Sequence, residues 1–251
     1  MNVQPVTDHV AVISQSERHF ASMRHSHPQA QLIYAVSGVV EVTTDTGTWV
    51  VPPSRAVWVP AGMEHETRSY GRVEFRALLI DSAGAWDLPE ECLVVEVTPL
   101  LRELILKLAR VSGAVDGSRD LIEAIISLLM MEMSFLPVAA LCLPMPTTPA
   151  LAQLCERLRA DPAAAISIET AAAALGTSRA SFMRHFKAET FMSFGRWQQQ
   201  ARLLKALALL AEGRPILTVA LDCGYDSPSA FAAMFRRSLG KPPGNYFDNA
   251  A

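Results

Sequence analysis

Residues 172–187 read AAALGTSRASFMRHFK, and residues 220–237 read ALDCGYDSPSAFAAMFRR. Each stretch has small residues, a glycine, a serine suited to cap a helix, and then two phenylalanines four positions apart. This order predicts a helix, a tight turn and a second helix, which is the helix-turn-helix layout that places its second helix in the DNA major groove. The pattern occurs twice, with 49 positions from Phe182 to Phe231, and the repetition makes the signal strong.

The second helix of each pattern is predicted to have a buried face and an exposed face. Phe182 and Phe186 are four positions apart, as are Phe231 and Phe235, so each pair shares one side of its helix and is expected to pack inward. The predicted DNA-contacting residues are the outward positions Arg179, Ala180, Ser181, Met183, Arg184, Lys187, Ser229, Ala232, Ala233, Arg236 and Arg237.

The chemistry of these outward side chains divides them into base readers and phosphate binders. Arg184 is suited to donate two parallel hydrogen bonds to guanine, and Ser181 to bond a base or a phosphate. The alanines offer only van der Waals contact, for example to a thymine methyl. Lys187, Arg236 and Arg237 are expected to bind phosphates. A merely solvated surface is the alternative, and the duplicated pattern argues against it.

Charge is divided unevenly along the chain of 251 residues, whose net charge is −3. Residues 1–149 hold 10 basic and 17 acidic side chains, for a net charge of −7, while residues 150–251 hold 12 and 8, for +4. The positive half contains the repeated pattern, as attraction to phosphates requires. The acidic half is expected to face away from DNA.

Composition indicates a globular protein, since 50% of the residues are hydrophobic and 19% are charged. The sequence shows no apolar run of membrane-spanning length and no signal-peptide pattern at its start, which predicts a cytoplasmic protein without a membrane partner. The four cysteines lack CxxC spacing and are expected to be buried, reduced thiols.

The C-terminal region resembles the AraC/XylS family of bacterial transcription regulators. The resemblance covers residues 150–247 and includes the ending FRRSLGKPPGNYF at 235–247, which is similar to the family's signature. It implies an all-α domain whose two helix-turn-helix units enter successive major grooves on one face of DNA. The second recognition helix departs from many members because its outward face is poor in polar base readers, which predicts that it mainly holds phosphates.

The N-terminal region predicts a small antiparallel β-barrel. Short apolar runs lie at 31–36, 56–59, 73–80 and 93–97, and 39–51 contains Gly47 between two runs, which is typical of a hairpin. Residues 1–20 show no clear pattern and are expected to form an arm. The predicted fold class is therefore α+β in two domains, with two helices following the barrel.

The second of these helices, near 118–134, has an unusually apolar stripe. Such a stripe predicts either burial against the helix's own barrel or contact with a second copy of the chain, and both interpretations remain open at this point. The candidate homodimer residues are Ile122, Ile126, Leu129 and Met133.

A proline-rich segment separates the two predicted domains. Residues 136–149 contain four prolines, which lack the amide donor and block continuation of a helix. The predicted organisation is a sensing domain at 1–136, a linker at 137–149 and a DNA-binding domain at 150–251.

Four polar residues form a second pattern, with His25 and His27 followed by Gln31, and His65 after a proline-glycine turn. Their spacing resembles the two motifs of the cupin barrel, and that resemblance implies a divalent metal held by three histidines and a carboxylate. Here Gln31 replaces the usual glutamate and is a weaker, neutral ligand. The residues therefore predict a transition-metal site, an organic-effector site or a polar pocket without a ligand.

The leading hypothesis is a transcription factor that binds double-stranded DNA and is controlled by a metal or small-molecule effector, with RNA polymerase as a partner if it is an activator. Whether it activates or represses is open. The alternatives are a metal-dependent cupin enzyme and an interaction module that does not bind DNA. The sequence shows no clear acid–base constellation, so no enzymatic activity is expected.

Overall fold

The computed structural model of the protein describes residues 3–81, 83, 86–111, 119–136 and 141–247. Within them the chain forms two compact units. One comprises residues 3–44, 51–81, 83, 86–111 and 119–136, and the other comprises residues 45–50 and 141–247. The predicted α+β class is confirmed, because an antiparallel sheet with two helices is followed by a helical region with two helix-turn-helix units.

The sheet of the first unit has the order β1-β2-β6-β3-β5-β7-β8, and its neighbouring strands pair antiparallel. The strands of the described chain, including β4 and β9 outside this order, are β1 (Val3–Pro5), β2 (Val10–Glu17), β3 (Ala30–Thr43), β4 (Gly47–Val51), β5 (Arg55–Val59), β6 (Glu66–Ile80), β7 (Leu93–Glu96), β8 (Phe135–Leu136) and β9 (Cys142–Pro144).

Two sequence predictions about this sheet were wrong. The region expected to be an arm forms β1 and β2, because β2 pairs along its whole length with the second half of β6. The run at 31–36 and the first run within 39–51 were expected as separate strands, but they are continuous in β3, with register shifts between Ala35 and Val39. Gly38 has φ +79°, and a side chain there would meet the Arg72 carbonyl oxygen, so the bulge needs glycine.

The helices α1 (Pro99–Val111) and α2 (Arg119–Glu132) pack in one apolar cluster with one face of this sheet. Thr98 caps α1, since its Oγ1 accepts from Leu101 N at 3.1 Å. This packing corrects the prediction that the apolar stripe of α2 contacts a second copy of the chain. Ile122, Ile126 and Leu129 are buried in the core of their own unit, and Met133 packs partly buried against that core. These four side chains are therefore not available to a second copy.

The second unit contains the remaining helices, which are α3 (Pro149–Ala160), α4 (Ile168–Ala174), α5 (Arg179–Thr190), α6 (Phe194–Ala211), α7 (Ile216–Asp222) and α8 (Pro228–Leu239), followed by a 3-10 turn at Pro243–Asn245. Four of these helices begin at a serine cap, in which the Oγ accepts a backbone N–H from the helix's first turn: Ser167, Ser178, Ser193 and Ser227. The caps of α5 and α8 are the two that the repeated pattern predicted. The boundaries of the helices therefore follow from local hydrogen bonding.

The predicted linker contains regular structure in its described part, residues 141–149. Its strand β9 pairs antiparallel with β4, from Gly47 opposite Pro144 to Trp49 opposite Cys142. A side chain at Gly47 would lie 2.9 Å from the Leu143 carbonyl oxygen, so glycine permits the close approach. Residues 137–140 of the linker lie outside the description.

All four cysteines are buried and free of disulfides, as predicted. Burial raises the pKa of the Cys155 thiol to about 12, which keeps it protonated. None of the helices in the described ranges is long and apolar enough to cross a lipid bilayer.

Candidate DNA interface and ligand site

The first helix-turn-helix consists of α4 and α5. Gly176, at φ +63°, gives the turn between them a left-handed backbone. Ser178 then starts α5 by accepting a hydrogen bond from Ser181 N at 3.2 Å. Phe182 and Phe186 are almost fully buried, so α5 turns its opposite side outward.

The second helix-turn-helix repeats this geometry with α7 and α8. Gly224 has φ +73°, and Ser227 accepts from Ala230 N at 3.2 Å. Phe231 and Phe235 are fully buried with ring centroids 5.7 Å apart, the same separation as in the first pair. The duplicated sequence thus produces duplicated structure.

The long helix α6 connects the two helix-turn-helix units. Phe194 near its start packs its ring perpendicular to Phe182 and Phe186, at centroid distances of 5.0 and 5.1 Å. Trp197, one turn later, is completely buried. Edge-to-face packing of this kind favours a single arrangement of the rings, so α5 is held firmly on α6.

The structure leaves the predicted DNA-contacting side chains accessible. Arg179 forms an ion pair with Glu169 at 3.2 Å, whereas Arg184 has no ion pair or hydrogen bond to its side chain within the described ranges. Ser181 and Ala232 are half-buried. The other nine are exposed, namely Arg179, Ala180, Met183, Arg184, Lys187, Ser229, Ala233, Arg236 and Arg237.

A contact that the sequence did not predict joins the linker to α5. Glu189 accepts hydrogen bonds from the backbone nitrogens of Thr147 and Thr148 at 2.8 and 2.9 Å, and from their hydroxyls at 3.1 and 2.6 Å. These bonds, chiefly those from Thr148, lower the pKa of the Glu189 carboxyl. The recognition helix is therefore fastened to the start of α3.

A second unpredicted contact joins the linker to α6. Trp197 donates from its indole nitrogen to the Pro144 carbonyl oxygen in β9, at 2.7 Å. Arg159 in α3 donates to Thr48 in β4 at 3.3 Å. The two pairs are 53 and 111 positions apart in sequence, so no local pattern indicates these contacts.

The histidines predicted as an effector site do come together in the first unit. Residues 25 and 65 form a backbone bridge, with His25 N to His65 O at 3.0 Å and His65 N to His25 O at 2.8 Å. Possible ligand atoms of His25, His27 and His65 all lie within 4.8 Å of one another. Gln31 also belongs to this cluster, because its Oε1 lies 3.0 Å from His65 Nε2 and 3.3 Å from His27 Nε2.

Backbone carbonyls orient the three imidazoles. Each Nδ1 faces the carbonyl oxygen of a residue two positions away in sequence, at 2.8 Å for His25, 2.6 Å for His27 and 3.0 Å for His65. A neutral histidine that donates from Nδ1 has a lone pair on Nε2. Burial lowers the pKa of His65, and the two neighbouring imidazoles lower it further, so this ring is neutral near pH 7.

Comparisons with known proteins agree with both halves of the structure. An AraC-like ligand binding domain matches residues 9–176 and a helix-turn-helix domain matches residues 171–249. The HTH-type transcriptional regulator NimR of Escherichia coli strain K12 is 33% identical over 222 residues, which are 88% of this chain and 81% of NimR.

Two further likenesses are more limited. The regulatory protein SoxS of Salmonella typhimurium is 34% identical over 82 residues, covering 32% of this chain and 77% of SoxS. The structure of ToxT from Vibrio cholerae with a bound unsaturated fatty acid has a TM-score of 0.40 and 12% identity, covering 98% of this chain and 97% of that one.

The fold, the duplicated helix-turn-helix, the two domain matches and the likeness to NimR define a DNA-binding regulator with a separate ligand-binding domain. The chain belongs to the AraC family of transcriptional regulators, since the family's ligand-binding domain matches well over half of it and NimR matches most of its length.

Proposed function

We propose that α5 and α8 occupy successive major grooves on one face of DNA and divide the work between them. The observation that carries this proposal is the duplicated frame, in which two buried phenylalanine pairs direct two exposed basic helix faces outward. Arg184 would read a base, because its guanidinium is exposed and unpaired in the described chain. Arg236 and Arg237 would hold phosphates beside small alanines.

The division of work is tested by comparing two arginine variants on DNA from upstream of the protein's own gene. We expect Arg184→Ala to weaken specific binding by about 1–3 kcal/mol and to relax sequence preference. Arg236→Ala should weaken binding to all sequences alike and reduce the salt slope by about 1. Arg119→Ala, an exposed arginine of α2, is the matched control.

The results separate the proposal from its alternatives. Footprints of the wild-type protein should protect two adjacent major grooves on one side of the duplex. Unchanged sequence preference in Arg184→Ala would remove its base-reading role. Binding that does not weaken as salt is raised would favour the interaction module that does not bind DNA.

We also propose that the effector is a divalent transition-metal ion bound by His25, His27 and His65. The cluster supports this, because one possible ligand atom of each histidine lies within 4.8 Å of the others. Imidazole suits zinc, copper, iron and nickel, and its nitrogen meets zinc at about 2.0–2.1 Å, which small side-chain rotations would allow. Gln31 would contribute a neutral oxygen. A bound ion would cross-link two segments of the sensing domain, around His25 and His65, and so change its rigidity.

Metal analysis of purified protein tests this assignment. The wild-type protein dialysed against a divalent metal salt should retain about one ion per chain, and His27→Ala should lose it, while His185→Ala on the exposed face of α5 should not. A chelator should then alter the DNA footprint. Equal metal content in all three proteins would favour an organic effector or an unliganded polar pocket.

We further propose a homodimer that uses the exposed side of α2 rather than its buried stripe. Leu121 and Leu128, seven positions apart, are 45% and 40% exposed, and nearby Met131 is 76% exposed. Exposed apolar side chains on one side of a helix are typical of a contact surface. Leu128→Glu should give a monomeric mass by analytical ultracentrifugation where the wild type is dimeric, and Met23→Glu at another exposed position should not.

We infer a regulator that works in the cytoplasm, where its DNA target lies, and not an enzyme. The enzymatic alternative needs a general acid or base beside the histidines, and Gln31, the polar side chain in contact with two of them, does not titrate. RNA polymerase becomes a partner if transcription of the target rises on binding. A reporter assay decides between activation and repression.

A further inference from the structure

A cleft between α1 and the sheet of the first unit has a volume of about 530 Å³. Its walls come from β1, β2, β3 and β6 on one side and from α1 on the other. Arg102, Leu106 and Arg110 follow one another at intervals of four along α1 and therefore line one side of that helix. Arg76 and Val36 face them from the strands. The size is within the range of small-molecule sites.

The charges of the cleft are unbalanced. Three arginines line it, with Glu74 as the one acidic side chain of the lining. Arg76 donates to Glu74 at 2.6 Å, and Arg102 turns part of its guanidinium to Glu103 at 2.8 Å. Arg110 has no ion-pair partner in the described ranges. The cleft thus holds a net positive charge beside an apolar wall.

Two buried donors beside the cleft have no acceptor. The Nε of Arg76 is buried and forms no hydrogen bond within the described part of the chain. The hydroxyl of Tyr34, a residue only 1% exposed, also finds no acceptor there, because the neighbouring Arg102 can only donate to it. Tyr34 lies directly opposite Arg76 in the β3–β6 ladder. Burial raises the pKa of Tyr34, and Arg102 beside it lowers that pKa to a smaller extent, so the hydroxyl keeps its proton and remains a donor.

We propose that this cleft binds a small organic carboxylate. The carboxylate would lie among Arg76, Arg102 and Arg110, because guanidinium groups pair with carboxylates through two parallel hydrogen bonds. Its short apolar body would pack against Val36 and Leu106. The inference goes beyond the proposed metal effector, since it concerns different residues and a ligand of opposite charge, and it does not depend on DNA binding.

Hexanoate is a suitable probe, with 1-hexanol as a neutral control of the same chain length. In calorimetric or NMR titrations of the full chain, hexanoate should bind saturably with one site per chain, and 1-hexanol should not. Equal binding of both compounds would show a non-specific apolar contact and overturn the proposal. Binding of chloride or sulfate as tightly as hexanoate would mean that the cleft selects charge alone and would also overturn it.

Variants then locate the site. Arg102→Ala with Arg110→Ala should weaken hexanoate binding at least about tenfold, because both charged donors are lost. Tyr34→Phe removes one hydroxyl while keeping the ring, and should weaken it by a smaller factor. Arg119→Ala on α2 and His27→Ala in the histidine cluster should bind hexanoate like the wild type. Unchanged binding in both cleft variants would overturn the assignment.

Discussion

The two helix-turn-helix units have the same frame but different surfaces. Both use a left-handed glycine in the turn, a serine cap and a buried phenylalanine pair with equal ring spacing. Their outward faces differ: the first presents Ser181 and Arg184, and the second presents Ala232 and Ala233 at half-buried and exposed positions. Packing determines the frame, whereas the outward face is free to take another task.

The surroundings of the two units differ as well. The first is fastened to the linker through Glu189. The second lies against the loop after α3, where Gly224 comes so close that an added Cβ would be 2.9 Å from the Ala163 Cα. The first helix-turn-helix is thus the one with a direct connection to the linker that contains β9, and the second helix-turn-helix is the more tightly enclosed.

Removing a phenylalanine from each unit should have the largest effect. Phe186→Ala and Phe235→Ala should each lower the free energy of unfolding by about 3–5 kcal/mol, because both rings are fully buried and leave cavities. Urea denaturation followed by circular dichroism measures this. Met183→Ala, at an exposed position of α5, should change it by less than about 0.5 kcal/mol. A small loss of stability in only one of the two variants would show that the phenylalanine pair does not hold that helix-turn-helix together.

Alanine in the two turns should distinguish the units more sharply. Gly176→Ala meets no atom within 4 Å and should cost about 1 kcal/mol for its left-handed backbone. Gly224→Ala meets the same strain and also the backbone at Ala163, so it should cost about 1–3 kcal/mol more. The difference between the two melting curves is the measurement. Equal losses would contradict the closer enclosure of the second unit.

The sequence predicted the frame because it depends on local rules. Serine caps, turn glycines and phenylalanines at i and i+4 are readable from neighbouring residues, and the histidine spacing places His25 and His27 correctly near His65. The contacts of Glu189 with the linker, of Trp197 with Pro144, and of β4 with β9 and Arg159 were not predictable in this way, since the partners are 41 to 111 positions distant. The α2 stripe was ambiguous because a core and a dimer contact require the same apolar pattern.

Substitutions at the C-terminal ends of α5 and α8 should change the free energy of unfolding by smaller amounts and in opposite directions. Phe191 and Gly240 are equivalent by the 49-residue repeat, and both are left-handed, at φ 56° and 79°. Phe191 is 86% exposed, so its ring gains little from packing. Phe191→Gly should therefore raise the free energy of unfolding by about 0.5–1 kcal/mol, and Gly240→Ala should lower it by about 1 kcal/mol. A loss in Phe191→Gly would indicate a packing role for the ring.

The linker contact of the first unit should respond to pH. Hydrogen bonds from Thr147 and Thr148 hold the folded-state pKa of Glu189 below its ordinary value of 4.5. Their contribution is therefore complete above the unfolded-state pKa and is lost as the pH falls through the lower, folded-state pKa. Hydrogen exchange of the Thr147 and Thr148 amides should speed up below about pH 4.5, beyond the intrinsic rate change.

Glu189→Gln should weaken the same protection at pH 7 and remove its acid dependence, because the amide has one accepting oxygen where the carboxylate has two. Glu212→Gln, on an exposed pair with Arg214 at 3.5 Å, is the matched control and should leave the amides protected. Protection that is independent of both pH and Glu189 would mean that the ribbon of β4 and β9 holds the linker by itself. Glu189 would then not distinguish the first helix-turn-helix from the second.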